Sequence, residues 1–327
     1  MSRMSITNIT SKRVCVLAGG WSDEREVSLM SGKEVAKALK EAGFKAVDLI
    51  DIQDMGFVNV LVKGGYDVAF VAMHGRFGED GCIQGLLEVM HIPYTFSGVL
   101  ASSVAMEKDI TKHVYRRANI PVAKDVVLED PKNVTETELD EIVEALGLPL
   151  FVKPVANGSS FGVTLVKSRD ELSAAIERAS QEDGHVLIEE SITGDEITVP
   201  VIGNKPARAL LPIEVVTGAD FYDERVKYEP TELHHVIPAR LDQDVLDRAC
   251  EYAVRAHEAI GCKGCSRSDF IVTADGTPVI LETNTIPGMT SASLLPDSAR
   301  HAGISFPELC TKFVELALED AEGRIRG

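Results

Sequence analysis

No stretch of the 327-residue chain approaches the roughly 18 consecutive apolar residues that a membrane-spanning helix requires. No G-x-x-x-x-G-K-[ST] occurs, which excludes a Walker-type phosphate loop, and no G-x-G-x-x-G occurs, which argues against a nicotinamide dehydrogenase. Basic residues are in deficit: 33 Lys and Arg stand against 51 Asp and Glu, for a formal net charge of -18. A chain this acidic is a poor nonspecific binder of nucleic acid or of an anionic membrane. It can still bind a small anion, because charges more than about 10 Å away are largely screened and a few local cations decide the matter. Cysteine is sparse, with six scattered residues. Cys262 and Cys265 form one C-x-x-C, but no second pair or nearby His completes a zinc set, so reduced thiols are expected. Basic residues near Met1–Arg13 are followed by no apolar core, so this start does not read as a secretory signal and a cytoplasmic protein is expected.

What is present is an ordinary soluble balance, 45% hydrophobic and 26% charged, over a length that suits two or three domains. The first part alternates: "RVCVLAGG", "KAVDLI" and "DVAFVAM" read as strands, with helices between and after them, including "IQGLLEVM". Ser28 is positioned to cap a helix running to about Ala42 and stopped by Gly43. Such alternation predicts a parallel sheet with helices on its faces and ligands beyond the carboxyl ends of the strands, where the loops Gly19–Glu26 and His74–Gly81 lie. A single helix is predicted over "ASSVAMEKDITKHVYRRAN". The pattern then changes to a hairpin, "LPLFVKPV" and "VTLV" around a Gly/Ser tip, followed by a helix and the strands "HVLIEE" and "EITVPVI". His234 and His235 read as loop residues without a role. The polar stretch Gly218–Pro230 is long for a simple connection and suits a lid.

Two constellations carry chemistry. In "SRSDFIVTADGTPVILETN", Asp275-Gly276 is a two-residue hairpin signal. That register sets Asp269 opposite Glu282, Arg267 opposite Asn284, Phe270 opposite Leu281 and Val272 opposite Val279. One face then carries Phe270, Val272, Val279 and Leu281. The other carries Arg267, Asp269, Glu282 and Asn284, with Ile271 and Ile280 nearer the turn. Facing carboxylates repel unless something positive lies between them. Either Arg267 and solvent relieve a surface pair, or the oxygens hold Mg²⁺, whose shell phosphate and water complete. The second constellation is "FVKPVANGSSFGVTLV": Lys153 ends a strand and a Gly/Ser loop follows, which is either a plain hairpin tip or a loop that turns backbone N–H groups toward phosphate.

With these pieces in order, the chain resembles the D-alanine–D-alanine ligases of the ATP-grasp group. The resemblance runs from Val14 to about Leu318 and is carried by "GGWSDEREVSL", "MHGRFGEDGCIQGLLE", "VKPVANGSSFGV", "GCKGCSRSDF" and "ETNTIPGMTSASLLP". It implies an α/β protein of ATP-grasp fold: an N-terminal parallel α/β domain (residues 12–104), a central small domain (105–191) and a C-terminal antiparallel-sheet domain (192–320). It implies Asp269, Glu282 and Asn284 as ligands of Mg²⁺ or Mn²⁺, as two ions, and ATP as co-substrate. Lys108 and Lys153 match the lysines on the ATP phosphates, and Ser160 and Lys227 also fall among the ATP contacts. Glu189 and Glu196 match the residues that hold adenosine. Glu24, Ser159 and Tyr228 match a hydrogen-bonded set bridging the N-terminal domain, the Gly/Ser loop and the lid. Arg267 and the Gly288 N–H match the oxyanion stabilisers, Ser293 and Leu294 the contacts to the second substrate's carboxylate, and His74 a substrate-side histidine. A homodimer is implied as well. Trp21 and Glu224 depart from the family pattern, in the first glycine turn and in the lid.

The activity implied is ATP-dependent joining of two D-alanines to D-alanyl-D-alanine through an acyl phosphate, for peptidoglycan precursor synthesis. Another amino-acid ligase of the same group, and an ATP-binding module without chemistry, are the alternatives.

Overall fold

The computed structural model describes residues 9–156, 162–216 and 234–325. Among these residues the strands form three sheets, each over its own apolar cluster. The first is parallel, in the order β2-β1-β3, with β1 at Arg13–Ala18, β2 at Ala46–Asp51 and β3 at Val68–Val71. β1 is central and its run Val14–Ala18 is wholly buried, as a strand covered on both faces must be. Helices α1 (Arg25–Glu41), α2 (Phe57–Gly64) and α3 (Cys82–Val89) follow the strands in turn. α1 lies close because its inner face is small: a Cβ built on Gly32 would come 2.5 Å from the Cβ of Ala18. The helix begins one turn before the position expected from Ser28, with Glu24 as its first flanking residue. Ser28 is buried inside the helix instead. Its Oγ accepts the Gly19 N–H at 2.8 Å and donates to the Ala72 carbonyl at 2.7 Å, so it ties the ends of β1 and β3 together.

The helix predicted over residues 101–119 is two helices, α4 (Val99–Met106) and α5 (Lys108–Arg117). Glu107 between them is extended, and the Thr111 hydroxyl reaches back to the carbonyls of Val104 and Glu107, satisfying groups the break leaves open. The break sets Lys108 at a helix start, with its N–H on the Val155 carbonyl.

The second sheet is antiparallel, in the order β4-β7-β5-β6: β4 Asp125–Leu128, β5 Leu150–Pro154, β6 Thr164–Val166 and β7 Val186–Glu190. Helices α6 (Glu136–Leu146), started by a Thr135/Glu138 capping box, and α7 (Leu172–Glu182) cover it.

The third sheet runs β11-β10-β8-β12-β13, with β9 added on β8. Its strands are β8 Asp195–Ile202, β9 Arg208–Ala209, β10 Ile213–Val216, β11 His234–Val236, β12 Cys265–Val272 and β13 Pro278–Asn284, and α8 (Gln243–Ile260) packs on it. His234 and His235, expected in a loop, are therefore on a strand; β11 pairs with β10.

The β12–β13 hairpin corrects half of the expected register. The Gly276 N–H bonds to the Thr273 carbonyl at 2.8 Å and Gly276 has φ +78, so the loop has three residues and ends in a left-handed glycine. Phe270 therefore faces Ile280, Ile271 faces Val279 and Val272 faces Pro278. Leu281 then forms a bulge, and beyond it Asp269 faces Glu282 and Arg267 faces Asn284, as expected. Ile280 joins Phe270 in the core, and Leu281 moves out of it.

The chain ends in α9 (Leu294–His301) and α10 (Phe306–Ile325). α10 returns to the first sheet: Phe313 is fully buried, with its ring 5.1 Å from that of Phe96 and 6.4 Å from that of Phe70. All six cysteines are free. Phe313→Ala should cost about 3–5 kcal/mol, the usual loss for a buried phenylalanine. Chemical denaturation of the variant checks this, and a loss below 1 kcal/mol would mean that α10 is not part of the first core.

Candidate active site

At the open end of the β12–β13 hairpin, alternation along the strands brings Arg267, Asp269, Glu282 and Asn284 to one side. Asp269 is the hub. Arg267 grips it with two bonds, Nε to Oδ1 at 2.9 Å and a terminal nitrogen to Oδ2 at 2.8 Å. Asn284 donates to Oδ2 at 3.3 Å, and the Thr198 hydroxyl, on the neighbouring β8, donates to Oδ1. Arg267 and Asp269 are mostly buried, at 17% and 16% side-chain exposure, so their pairing is less screened than a surface pair. Two carboxylates and an amide oxygen on one face are a hard donor set and fit Mg²⁺ or Mn²⁺. Behind this face Tyr115 donates to Thr283 at 2.7 Å, and Ser268 and Thr283 share a bond of 2.8 Å, so polar links buttress the hairpin from the core side.

The second sheet builds a different charge cluster. Phe151 and Glu189 are cross-strand partners, which makes Lys153 a diagonal neighbour of Glu189 on the same face. Lys153 is ion-paired with Glu189, and so is Lys112, which projects from α5. Asp125, directly opposite Glu189 on β4, is paired with Lys112 at 3.3 Å and with Arg116. Burial alone would raise the Glu189 carboxyl, but the Lys153 and Lys112 ammoniums outweigh it and hold it at about 2.

A third group lies where the sequence placed a ligand zone, past the carboxyl ends of β1 and β3. The Ser22 hydroxyl bonds the His74 carbonyl at 2.8 Å. Gly75 has φ +69, a conformation that favours glycine, and a Cβ there would come 2.8 Å from a Glu24 oxygen. His74, which is buried, and Glu79, which is partly buried, reach residue 286 beyond β13. Burial lowers the His74 pKa, against the nearby Glu24 carboxylate and the Ile286 carbonyl, which raise it; Arg267 adds to the lowering. Burial and then Glu24 push Glu79 up to about 8, against the Gly75 and Ile286 N–H groups and Arg267. Arg267 is thus felt by both the hairpin face and this loop. Farther along, a Cβ on Gly288 would sit 2.9 Å from the Ser293 Oγ, which fixes how closely that turn approaches the start of α9.

The predicted site residues therefore fall into connected sets: Arg267 with Asp269, Glu282 and Asn284; Lys153 with Glu189; Glu24 with His74; and Gly288 with Ser293. Ser293 flanks α9 and its hydroxyl bonds that of Thr290 at 2.8 Å; Leu294 is the first residue of the helix. Glu196 is on β8 opposite Ile271, on the same side of the strand as Thr198. Ser159, Ser160, Lys227, Tyr228 and the rest of the lid Gly218–Pro230 lie outside the described residues. Sequence reading missed Ser31, Glu79, Lys112 and Thr198. Glu79 lies inside a quoted loop motif, yet one acid among several in a polar loop carries no signal of burial. Lys112 and Ser31 are unremarkable helix residues until their partners are known.

Residues 57–97 match the family model for the D-ala D-ala ligase N-terminus, and residues 114–315 that for the C-terminus. A D-alanine--D-alanine ligase of Desulforamulus reducens is 44% identical over 311 residues, covering 94% of this chain and 99% of that protein. A crystal structure of the Bacillus anthracis D-alanine--D-alanine ligase complexed with ATP superposes with a TM-score of 0.80 at 31% identity, covering 95% of this chain and 99% of that one. The VanG D-Ala:D-Ser ligase of Enterococcus faecalis gives a TM-score of 0.80 at 32% identity, over 94% and 99% of the two chains. This chain belongs to the D-alanine–D-alanine ligase family, ATP-dependent ligases of ATP-grasp fold that join two D-alanines for peptidoglycan precursors.

Proposed function

We propose that the three residue groups divide the ligation among them, and the observation that carries this reading is the Arg267–Asp269–Glu282–Asn284 face lying directly ahead of the Gly288 turn. Lys108 and Lys153 hold the phosphates of ATP, with Ser160 and Lys227, while Glu189 and Glu196 hold the adenosine. Asp269, Glu282 and Asn284 hold Mg²⁺ or Mn²⁺, as two ions. When bound there, divalent cations draw off negative charge that builds on the transferring phosphoryl oxygens. Glu24 anchors the first D-alanine's ammonium by opposite charge, linked to Ser159 and Tyr228, and His74 lines the same pocket. The carboxylate of that D-alanine attacks the γ-phosphorus, giving an acyl phosphate and ADP. The second D-alanine, its carboxylate on Ser293 and Leu294, then attacks the acyl carbon through its amine. Arg267 and the Gly288 N–H meet the oxyanion that forms, the amine proton is lost, and phosphate leaves. The lid Gly218–Pro230 keeps water from the acyl phosphate.

The chain is proposed to be organised as units 12–104, 105–191 and 192–320, and to act as a homodimer in the cytoplasm. No helix among the described residues is long and apolar enough to cross a membrane.

Arg267→Ala should lower turnover by about 10²–10³, the usual weight of one oxyanion donor, with a smaller effect on the KM for ATP. Steady-state dipeptide formation measures it, and an unchanged kcat would remove Arg267 from the step. Glu282→Gln should abolish both ADP release and dipeptide formation, since the cation face loses a charge and a ligand together; full activity in that variant would refute the metal assignment. The resemblance implies that relatives making a D-lactate ester carry a different lid residue at the place of Tyr228, so Tyr228→Phe should loosen discrimination between D-alanine and D-lactate as second substrate. Product ratios unchanged from pH 6 to pH 9 would take that role away from Tyr228.

A further inference from the structure

The turn that follows β13 is held from outside its own sheet. Its Ile286 peptide is gripped on both sides: the Ile286 N–H donates to Glu79 Oε1 at 3.3 Å, and the Ile286 carbonyl accepts from His74 Nδ1 at 3.1 Å. A carbonyl can only accept, so the Nδ1 of His74 carries the proton. Nε2 is then the acceptor in its 3.0 Å contact with Ser31 Oγ, and the serine hydroxyl is the donor. The same Ser31 oxygen accepts the Met289 N–H at 3.4 Å. Glu79 closes the circuit on the N-terminal side by accepting the Gly75 N–H at 2.7 Å. Farther along, Glu34 on α1 accepts the Ser291 N–H at 2.6 Å. Ser31 and His74 are 0% and 5% exposed, so the bonds these two residues make are away from water and are costly to leave unmade.

The peptides held in this way bracket Pro287 and Gly288. Proline has no N–H, so the first backbone donor available after Ile286 is that of Gly288. A Cβ built on Gly288 would come 2.9 Å from the Ser293 Oγ, so the turn runs close to the start of α9. The turn is therefore fixed between α9 and an N-terminal clamp of Ser31, His74 and Glu79. A protonated His74 could not accept from Ser31. The groups facing the ring are Glu24, which favours the charged form, and burial and Arg267, which oppose it, so the ring is kept neutral.

We propose that Ser31, His74 and Glu79 are positioning residues for the second chemical step: they set the Ile286–Met289 turn so that the Gly288 N–H lies where the oxyanion develops. This rests on the proposed oxyanion role of Arg267 and Gly288. It gives His74 a task through the turn in place of a direct hold on substrate. It also gives the N-terminal unit a part in a step whose donors lie beyond β13.

The test is a paired assay of the full-length enzyme with ATP, Mg²⁺ and D-alanine, counting ADP and dipeptide in the same sample. Ser31→Ala and Glu79→Gln should lower dipeptide formation about ten- to hundredfold, since an ångström of misplacement can cost about 10²-fold. ADP release should fall less, because the acyl phosphate still forms and is lost to water. The ratio of ADP to dipeptide should therefore rise above one. Parallel loss of both products at a ratio of one, or no loss, would overturn the proposal. Ser31→Ala removes only one hydroxyl and decides the matter if Glu79→Gln folds poorly. Arg267→Ala in the same assay separates the two levels. If it leaves dipeptide formation intact, the oxyanion reading itself fails. If it uncouples the reaction while Ser31→Ala and Glu79→Gln behave as wild type, only the clamp is wrong.

Discussion

Asp269 and Glu282 stand directly opposite each other on paired strands, and that enforced meeting of two carboxylates governs what surrounds it. Like charges set directly opposite each other on paired strands repel. The chain answers with Arg267, which takes both oxygens of Asp269, and with Asn284 and Thr198 as further donors. In the proposed function, a divalent cation and phosphate oxygens meet these same side chains. The bulge at Leu281 then has a purpose in packing: it lets the core half of the hairpin follow one register and the polar half another.

The same logic recurs in the second sheet, where Glu189 faces Asp125 and is balanced by Lys112, Lys153 and Arg116. In both places carboxylates on adjacent strands are met by cationic side chains. A buried carboxylate stripped of its cations would be left unpaired, which costs far more than the pairing contributes. Lys112 thereby acquires a reason to be a lysine that nothing in its helix requires. The clamp on the Ile286 turn differs in kind. It uses neutral donors and acceptors, and it couples the first sheet to the end of the third.

How much of this could be read from the chain depended on the range of the interaction. β1 was legible because a run such as Val14–Ala18 can only be a buried strand, and the facing of Asp269 and Glu282 followed from strand alternation and a nearby turn. The Asp275-Gly276 pair marked the turn but not its length; the expected two-residue loop and the absence of a bulge were compensating errors, so the polar face came out right and the apolar face wrong. Ser28 had the look of a helix cap, yet tertiary bonds to Gly19 and Ala72 claimed its hydroxyl. Glu107 interrupts a helix that periodicity alone would continue. Ser31, Glu79 and Lys112 were illegible because each is defined by partners far away in sequence. The roles given to Glu24, Ser293 and the nucleotide contacts came from resemblance to the ligase family and not from spacing.

The account stands most directly on where the cation sits. Crystals grown with ADP and Mn²⁺, with diffraction recorded for anomalous scattering of manganese, would locate it. The account predicts manganese peaks bounded by Asp269, Glu282 and Asn284 and bridging them to the nucleotide phosphates. Manganese absent from that face while ADP is bound, or held by other side chains, would contradict it.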